Sequence, residues 1–127
     1  MECAGILPEG PPRSRLDALA ARCAPGTAIA AGSVVVATLA AGQRASAHLV
    51  LSDPARCVRG VAAAAPGVEA LLLRVTPERG PSASGAGGRD ALVGSAGPVC
   101  PGAGRHLVEV EVTAGAGEVA AAFAVAE

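Results

Sequence analysis

The sequence predicts an all-β fold, an antiparallel β-sandwich of jelly-roll type with seven or eight strands and a short N-terminal helix. Short apolar segments recur at intervals of about 8–12 residues, Gly and Pro separate them, and several alternate apolar with polar side chains. The length of 127 residues fits one ordinary domain. We expect an N-terminal coil and helix over residues 1–26 and the sandwich over residues 27–127.

The N-terminal segment begins with residues 1–13, which are rich in Pro and Gly and predict coil. Residues 14–23 place apolar side chains at helical spacing and predict one short helix. Ser14 is positioned to cap this helix, with Asp17 as its partner in a capping box. Ala24-Pro25-Gly26 then ends it.

The strands follow from period-two alternation and β-branched residues. The predicted strands are residues 33–39, 44–51, 57–65, 69–76, 91–93, 106–113 and 118–126. The side chains expected to face the core are Ala45, Ala47, Leu49, Leu51, Leu71, Leu73, Val75, Val108, Val110, Val112, Val119, Ala121, Phe123 and Val125. Turns are predicted at residues 41–43, 52–54 and 66–67, a flexible loop at 77–90, and a hairpin turn at 114–117.

The Ala-rich segments 61–65 and 120–126 also suit a helix, because Ala is the best helix former. The Gly and Pro signals around them and the period of two favour strands. An exposed Ala face on residues 118–126 would then form a sheet edge able to pair with another chain.

Composition restricts both the core and the function. Apolar residues make up 51% of the chain, but most are Ala and Val, and Phe123 is the only aromatic residue, so the predicted core is thin. The net charge of −1 argues against a nucleic-acid partner, which requires a basic surface. The lack of Trp and Tyr weakens a carbohydrate-binding interpretation.

The four cysteines are Cys3, Cys23, Cys57 and Cys100. An even number in a small, loop-rich chain indicates disulfides and therefore an extracellular or periplasmic compartment. Three pairings are open, and we favour Cys57–Cys100 and Cys3–Cys23. The alternative is that the cysteines are free, buried apolar side chains.

Residues 24–42 hold no charged side chain and follow several arginines, so they also suit a late signal peptide or a membrane segment. Against this interpretation, the segment contains four Gly and Pro residues, Pro25, Gly26, Gly32 and Gly42, and its length is marginal for a span of about 20 residues.

Catalytic and metal-binding patterns are weak. His48 and His106 could join Cys57 and Cys100 in a Cys₂His₂ metal site or supply a cysteine nucleophile with its base, but the spacing supports neither, and half-exposed strand histidines are expected.

Two further motifs suggest no chemistry. Glu109 and Glu111 alternate with buried valines, which indicates a solvated strand face rather than an acid–base pair. The glycines of residues 85–88 precede no Lys-Ser/Thr pair and no predicted helix, so they do not form a phosphate loop.

The order of the segments resembles a known family. Residues 38–43 are followed by an alternating strand and then by Cys57. The hydrophobic strand within residues 71–80 ends in a Pro/Gly turn. In residues 96–125, a Cys and a Gly turn precede the last strands. This order is similar to the pre-peptidase C-terminal type of β-sandwich in high-GC bacterial secreted and envelope proteins. The resemblance implies a small extracellular module without catalysis.

This chain departs from the family in two respects. Val58 and His106 occupy places that often hold an aromatic residue, and residues 68–71 contain one carboxylate, so no calcium site is carried over.

The function expected from the sequence is therefore a non-catalytic extracellular or periplasmic module with an accessory, adhesion or protein-interaction role. It has no enzyme activity and no cofactor, and it binds protein partners or an envelope surface. The alternatives are an envelope protein tethered through residues 24–42, an enzyme based on Cys and His, and a low-complexity chain without a stable fold.

Overall fold

The computed structural model describes residues 9–53, 56–94 and 98–126. The described elements are α1 (Pro12–Cys23), β1 (Thr27–Ile29), a 3-10 turn (Ala31–Ser33), β2 (Val35–Ala40), β3 (Arg44–Leu51), β4 (Val58–Ala64), β5 (Val68–Thr76), β6 (Ala83–Gly87), β7 (Asp90–Val93) and β8 (Gly104–Ala126). All of the strand pairs are antiparallel, which confirms the predicted fold class.

The sandwich is an antiparallel sheet folded over along its central strand. β8 is 23 residues long and belongs to both layers. The first half of β8 pairs with β3 and β5, and β6 pairs with β5. We call β3, β5, β6 and this half of β8 the open layer. The second half of β8 pairs with β1, β2 and β4, and β7 pairs with β4; we call these strands the covered layer.

The predicted hairpin at residues 114–117 is wrong. Residues 104–112 and 118–126 do not pair with each other, because β8 continues from one layer into the other. Gly115 has a φ of +81°, and a Cβ at this position would collide with the carbonyl oxygen of Gly67 in the turn before β5. The glycines therefore bend the strand across the layers instead of reversing the chain.

The predicted turn at residues 41–43 is confirmed. It joins β2 of the covered layer to β3 of the open layer. Gly42 has a φ of +88°, and the Gln43 N–H donates to the Ala40 carbonyl at 3.0 Å. Gly42 also donates to the carbonyl of Val112, whose N–H donates to the Gln43 carbonyl at 3.2 Å. This pattern is a glycine bulge that leads directly into β3.

The loop predicted at residues 77–90 contains β6, so that prediction is wrong for residues 83–87. At this edge the two layers touch through their backbones. A Cβ on Gly85 would overlap the Leu92 carbonyl, and one on Gly87 would overlap the Asp90 carbonyl. The glycines permit close backbone approach between β6 and β7 rather than flexibility.

The core between the layers confirms most of the predicted inward side chains. Those of β5 and β8 are buried, whereas Ala45, Ala47 and Leu49 of the edge strand β3 are only partly buried against the core. Phe123, the largest of these side chains, is fully buried in the same core.

Helix α1 covers the outer face of β4 and of the second half of β8 in the covered layer, whereas Val36 of β2 on the same face is 49% exposed. Leu16 and Leu19 form a second apolar cluster with Ala120, Ala122 and Ala124, all at most 2% exposed. The expectation of an exposed Ala face on residues 118–126 is therefore wrong, because the alanine methyl groups let the helix approach the sheet closely. The strand prediction for both Ala-rich segments is confirmed.

The helix itself begins earlier than predicted, with Pro12 in its first turn and Pro11 at the N-cap. Pro favours this position, because its missing N–H would have no helical partner. No side chain caps the helix, so the predicted role of Ser14 is wrong, and Asp17 instead pairs with Arg13.

Residues 24–42, which also suited a membrane segment, contribute β1 and β2 to the sheet. Across the described ranges, none of the helical structure is long and apolar enough to cross a membrane.

Candidate binding face

The outer face of the open layer has no helix over it in the part of the chain that the structure describes, and we call it the open face. Alternate residues of four adjacent strands form it: Arg44, Ser46, His48 and Val50 of β3; Arg105, Leu107, Glu109 and Glu111 of β8; Leu72, Arg74 and Thr76 of β5; Ser84 and Ala86 of β6. The predicted outward positions of Arg74, Thr76, Glu109 and Glu111 are confirmed.

Opposite charges alternate across the middle of the open face. Glu109 lies between Ser46 of β3 and Arg74 of β5 in the strand register. The Arg44 Nη1 atom lies 3.9 Å from Glu109 Oε1, and its Nε atom lies 3.3 Å from Glu111 Oε1. The Arg44 side chain is 58% exposed, so these pairs contribute only about 0–1 kcal/mol to the fold and can exchange for pairs with a partner.

Hydroxyl and apolar groups occupy the rest of the open face. Thr76 Oγ1 and Ser82 Oγ share a hydrogen bond of 3.1 Å. Val50 is 71% exposed, and the neighbouring His48 is exposed as predicted. A partner would therefore meet charged, hydroxyl and apolar groups within a few residues of one another.

His106 fixes one end of β8 from the inside. Its Nδ1 atom accepts from the Glu78 N–H at 3.0 Å, and its Nε2 atom lies 2.9 Å from the Gly102 carbonyl. This pattern requires the neutral tautomer with hydrogen on Nε2. The Glu78 Oε1 atom in turn accepts from the Arg105 N–H at 2.9 Å.

The expectation that His106 is half-exposed is wrong, because the residue is fully buried. It lies two residues before Val108 and so shares the inward face of β8. The imidazole joins the turn after β5 to the segment that precedes β8.

Cys57 and Cys100 form a disulfide, as predicted. Beside it, Val58 and Val99 exchange two backbone hydrogen bonds of 2.7 and 2.8 Å. Cys23 is also disulfide-bonded, and its predicted partner Cys3 lies outside the described residues.

The disulfide contradicts both alternatives that used Cys57 and Cys100, the metal site and the cysteine nucleophile, because neither residue has a thiolate to offer. Within the described ranges, no three His, Cys, Asp or Glu side chains are grouped as metal ligands would be.

A charged cluster, which the sequence analysis missed, holds helix α1 against the covered layer. The Arg15 side chain is 5% exposed; its Nη1 atom donates to the Ala64 carbonyl at 3.0 Å and lies 3.1 Å from Asp90 Oδ1. Arg89 donates to the same carbonyl and makes two hydrogen bonds of 2.9 and 3.1 Å to Glu9. The local sequence contains one indication of this role: Arg15 lies four residues before the buried Leu19 and therefore on the same, inward face of the helix.

The electrostatics of this cluster have two opposite effects. Burial raises the pKa of the Asp90 carboxyl even though Arg15 opposes the shift. The hydrogen bond from Arg89 lowers the pKa of the exposed Glu9. The cluster therefore positions the helix on the sheet, and the burial of the Asp90 carboxyl has a desolvation cost. The arrangement is not that of an acid–base pair.

No protein-family model and no curated protein sequence matches the chain. Among solved structures, the fold is similar to that of TmCBM61 in complex with beta-1,4-galactotriose, at 14% identity and a TM-score of 0.45, over 96% of this chain and 98% of that chain. It is also similar to PliG of Aeromonas hydrophila, a periplasmic lysozyme inhibitor of g-type lysozyme, at 16% identity and a TM-score of 0.41, over 76% and 89% of the two chains.

A third similar structure is RmlC from Streptococcus suis in complex with dTDP-D-xylose, at 12% identity and a TM-score of 0.37, over 74% of this chain and 43% of that chain. At these values the similarities concern strand architecture only and do not assign a ligand to this chain.

Proposed function

We propose that this protein is a non-catalytic extracellular or periplasmic module that binds a protein partner through its open face. The observation behind the proposal is the difference between the two outer faces. Helix α1 buries the centre of the outer face of the covered layer, where Val61, Ala63 and Ala122 are fully buried, and leaves the outer face of the edge strand β2 exposed. The open face has no such cover among the described residues and instead presents paired charges and the exposed Val50.

The chemistry of the open face favours a protein over other ligands. Arginine and glutamate side chains alternate on it, which suits the mixed charges of a protein surface. Stacking on an aromatic side chain strengthens the binding of sugars and nucleic-acid bases, and the open face has none, because Phe123, the only aromatic residue in the chain, is buried in the core. A phosphate backbone would need an excess of positive charge, whereas the net charge is −1.

The disulfide supports the proposed compartment, because such bonds persist in oxidising environments. The resemblance to the pre-peptidase C-terminal type of β-sandwich stays a prediction and agrees with an accessory role beside secreted or envelope proteins. On this proposal, the folded sheet is a disulfide-stabilised support for one recognition surface.

The experiment uses the immobilised protein as bait in the secreted and envelope fractions of its source cells. Its open-face variant is the double substitution Arg74→Ala with Glu109→Ala, which removes one facing pair and keeps the net charge. The matched control is Arg13→Ala with Asp17→Ala, which removes an exposed ion pair from α1 and also keeps the net charge.

A protein that the wild type and the helix variant retain, and that the open-face variant loses, would support the proposal. Equal retention by all three baits would contradict it. Binding of the wild type to an oligosaccharide array would contradict the choice of partner class.

A further inference from the structure

We propose that two copies of this chain associate through the free edge of β3, which joins their open layers into one continuous sheet. β3 is eight residues long and pairs with β8 along one edge. Along its other edge, no strand pairs with it among the described residues. A strand edge of this length offers a ladder of unpaired backbone donors and acceptors to another strand.

The hydrogen-bonding pattern shows which residues face the free edge. The Val112 N–H donates to the Gln43 carbonyl, so Gln43 directs its backbone toward β8. Backbone direction alternates along an antiparallel strand, so Ala45, Ala47 and Leu49 also bond to β8. The residues whose N–H and carbonyl groups point away from β8 are therefore Arg44, Ser46, His48 and Val50.

One antiparallel register uses all four of these residues in both copies. It places Ala47 opposite Ala47 of the second copy, at the two-fold axis of an isologous dimer. Ser46 then lies opposite His48 of the second copy, and Arg44 lies opposite Val50 of the second copy. A shift by two residues in either direction would leave at least one of the four without a partner.

The side chains on both faces of β3 are complementary in this register. On the outer face, the aliphatic part of Arg44 covers Val50 of the second copy, which is 71% exposed in the single chain. The two copies of Arg44 lie at opposite ends of the interface, so no like charges face each other. On the inner face, the partly buried Ala45 lies opposite Leu49 of the second copy and extends the core.

The remaining edge of the open layer is not equivalent. At that edge, β6 lies so close to β7 that a Cβ on Gly85 or Gly87 would overlap the β7 backbone. The 3-10 turn at Ala31–Ser33 and β2 lie near β3, but among the described residues neither pairs with its free edge. β3 also has no bulge within its length and no Pro or Lys, the usual devices that prevent edge pairing. One added strand is small beside the roughly 1,200–2,000 Å² of a stable interface, so the dimer should be weak, with a Kd on the order of 0.1 mM.

The experiment is sedimentation velocity of the full chain up to about 1 mM, with interference optics because the chain has no Trp or Tyr. Ser46→Pro removes one edge-facing N–H without removing a bond to β8, and Ser46→Ala is its matched control. We expect concentration-dependent dimers for the wild type and for Ser46→Ala. Ser46→Pro should remain monomeric while its circular dichroism spectrum stays unchanged.

The register is tested with Val50→Arg and Val50→Glu, which place a like or an opposite charge against Arg44 of the second copy. We expect the dimerisation constants of these two variants to differ by about 10-fold or more, with Val50→Glu the stronger. Ala86→Arg and Ala86→Glu change the net charge equally, away from β3, and should differ little from each other.

A wild type that is monomeric at every concentration would overturn the proposal, as would a Ser46→Pro variant that dimerises like the wild type. Dimers with no difference between the two Val50 variants would overturn the register. The Arg74→Ala with Glu109→Ala variant should still dimerise, because Arg44 keeps its shorter ion pair with Glu111, so failure of this inference is distinct from failure of the open-face proposal.

Discussion

The two halves of β8 have different surroundings although they belong to one strand. In the open layer, buried Val108 and Val110 alternate with half-buried Glu109 and Glu111. In the covered layer, every residue from 119 to 125 is buried, because the core lies on one side and α1 on the other. The comparison shows that alternation indicates one solvated face, whereas a continuous apolar run indicates that both faces are covered.

The choice of alanine in the covered layer follows from the same difference. Ala120, Ala122 and Ala124 occupy outward positions that, in the open half of the strand, are charged except at Leu107. Larger side chains there would push Leu16 and Leu19 of the helix away from the sheet. The Ala-rich composition that makes the chain look like low-complexity sequence therefore has a specific packing role.

The largest expected effect comes from placing a carboxylate on each outer face. Ala122→Glu puts a charge between α1 and the covered layer, and we expect it to cost about 5 kcal/mol or more, because the charge has no buried partner. Ala86→Glu makes the same change on the exposed open layer and should cost less than about 0.5 kcal/mol. Urea unfolding followed by circular dichroism measures both, and similar losses would contradict the assignment of the faces.

Removal of the disulfide should have the next largest effect. The double variant Cys57→Ser with Cys100→Ser opens a loop with a sequence separation of 43 residues and should lower the free energy of unfolding by about 4 kcal/mol. Reduction of the wild type also opens the disulfide of Cys23, so it should lower the free energy of unfolding by at least as much. A loss below about 1 kcal/mol would show that the layers do not depend on this cross-link.

A smaller effect is expected from leucine truncation on the two outer faces. Leu16→Ala should cost about 3 kcal/mol, because this side chain is fully buried between the helix and the covered layer. Leu72→Ala on the open face removes the same atoms from a half-buried position and should cost less than about 1 kcal/mol. Equal values in urea unfolding would mean that the helix does not seal the covered layer.

The smallest expected effect is a pH dependence that originates beside the helix. Since burial raises the pKa of Asp90, the folded state binds more protons than the unfolded state between the two pKa values. Stability contributed by this group should therefore fall as the pH rises through that window. Glu9 has a lowered pKa, and its contribution is lost as the pH falls, but it is exposed and weak.

Asp90→Asn should remove the fall that Asp90 causes, because the neutral amide does not titrate and carries no charge to desolvate. Urea unfolding of both proteins from about pH 4 to pH 7 tests this. Parallel stability curves would contradict the role of Asp90.

The sequence predicts features that depend on neighbours along the chain. The inward faces of β5 and β8 are correct because alternation is local, and Cys57–Cys100 agrees with the pairing favoured from the cysteine count. The bend at residues 114–117 is not predictable in this way, since a hairpin and a strand that crosses between layers need the same glycines. Only the pairing of β8 with β4 and β5 distinguishes them.

The remaining errors also concern distant contacts. His106 is buried because Glu78 and Gly102 satisfy its ring nitrogens, and neither contact shows in the local pattern. Arg15 looks like a solvated helix residue until β7 brings Asp90 beside it. The alternation within each strand predicts which side chains of the open face point outward. It does not predict which of them are neighbours across strands, because that depends on the strand register.

The most direct test of the difference between the layers is the accessibility of methyl groups in solution. NMR of methyl-labelled protein with a soluble gadolinium chelate would compare Val50 and Leu72 of the open face with Leu16, Val61 and Ala122 beneath the helix. We predict strong relaxation enhancement for the first pair and almost none for the other three. Equal enhancement of both groups would contradict the claim that α1 seals β4 and the second half of β8 while the open face stays accessible to a partner.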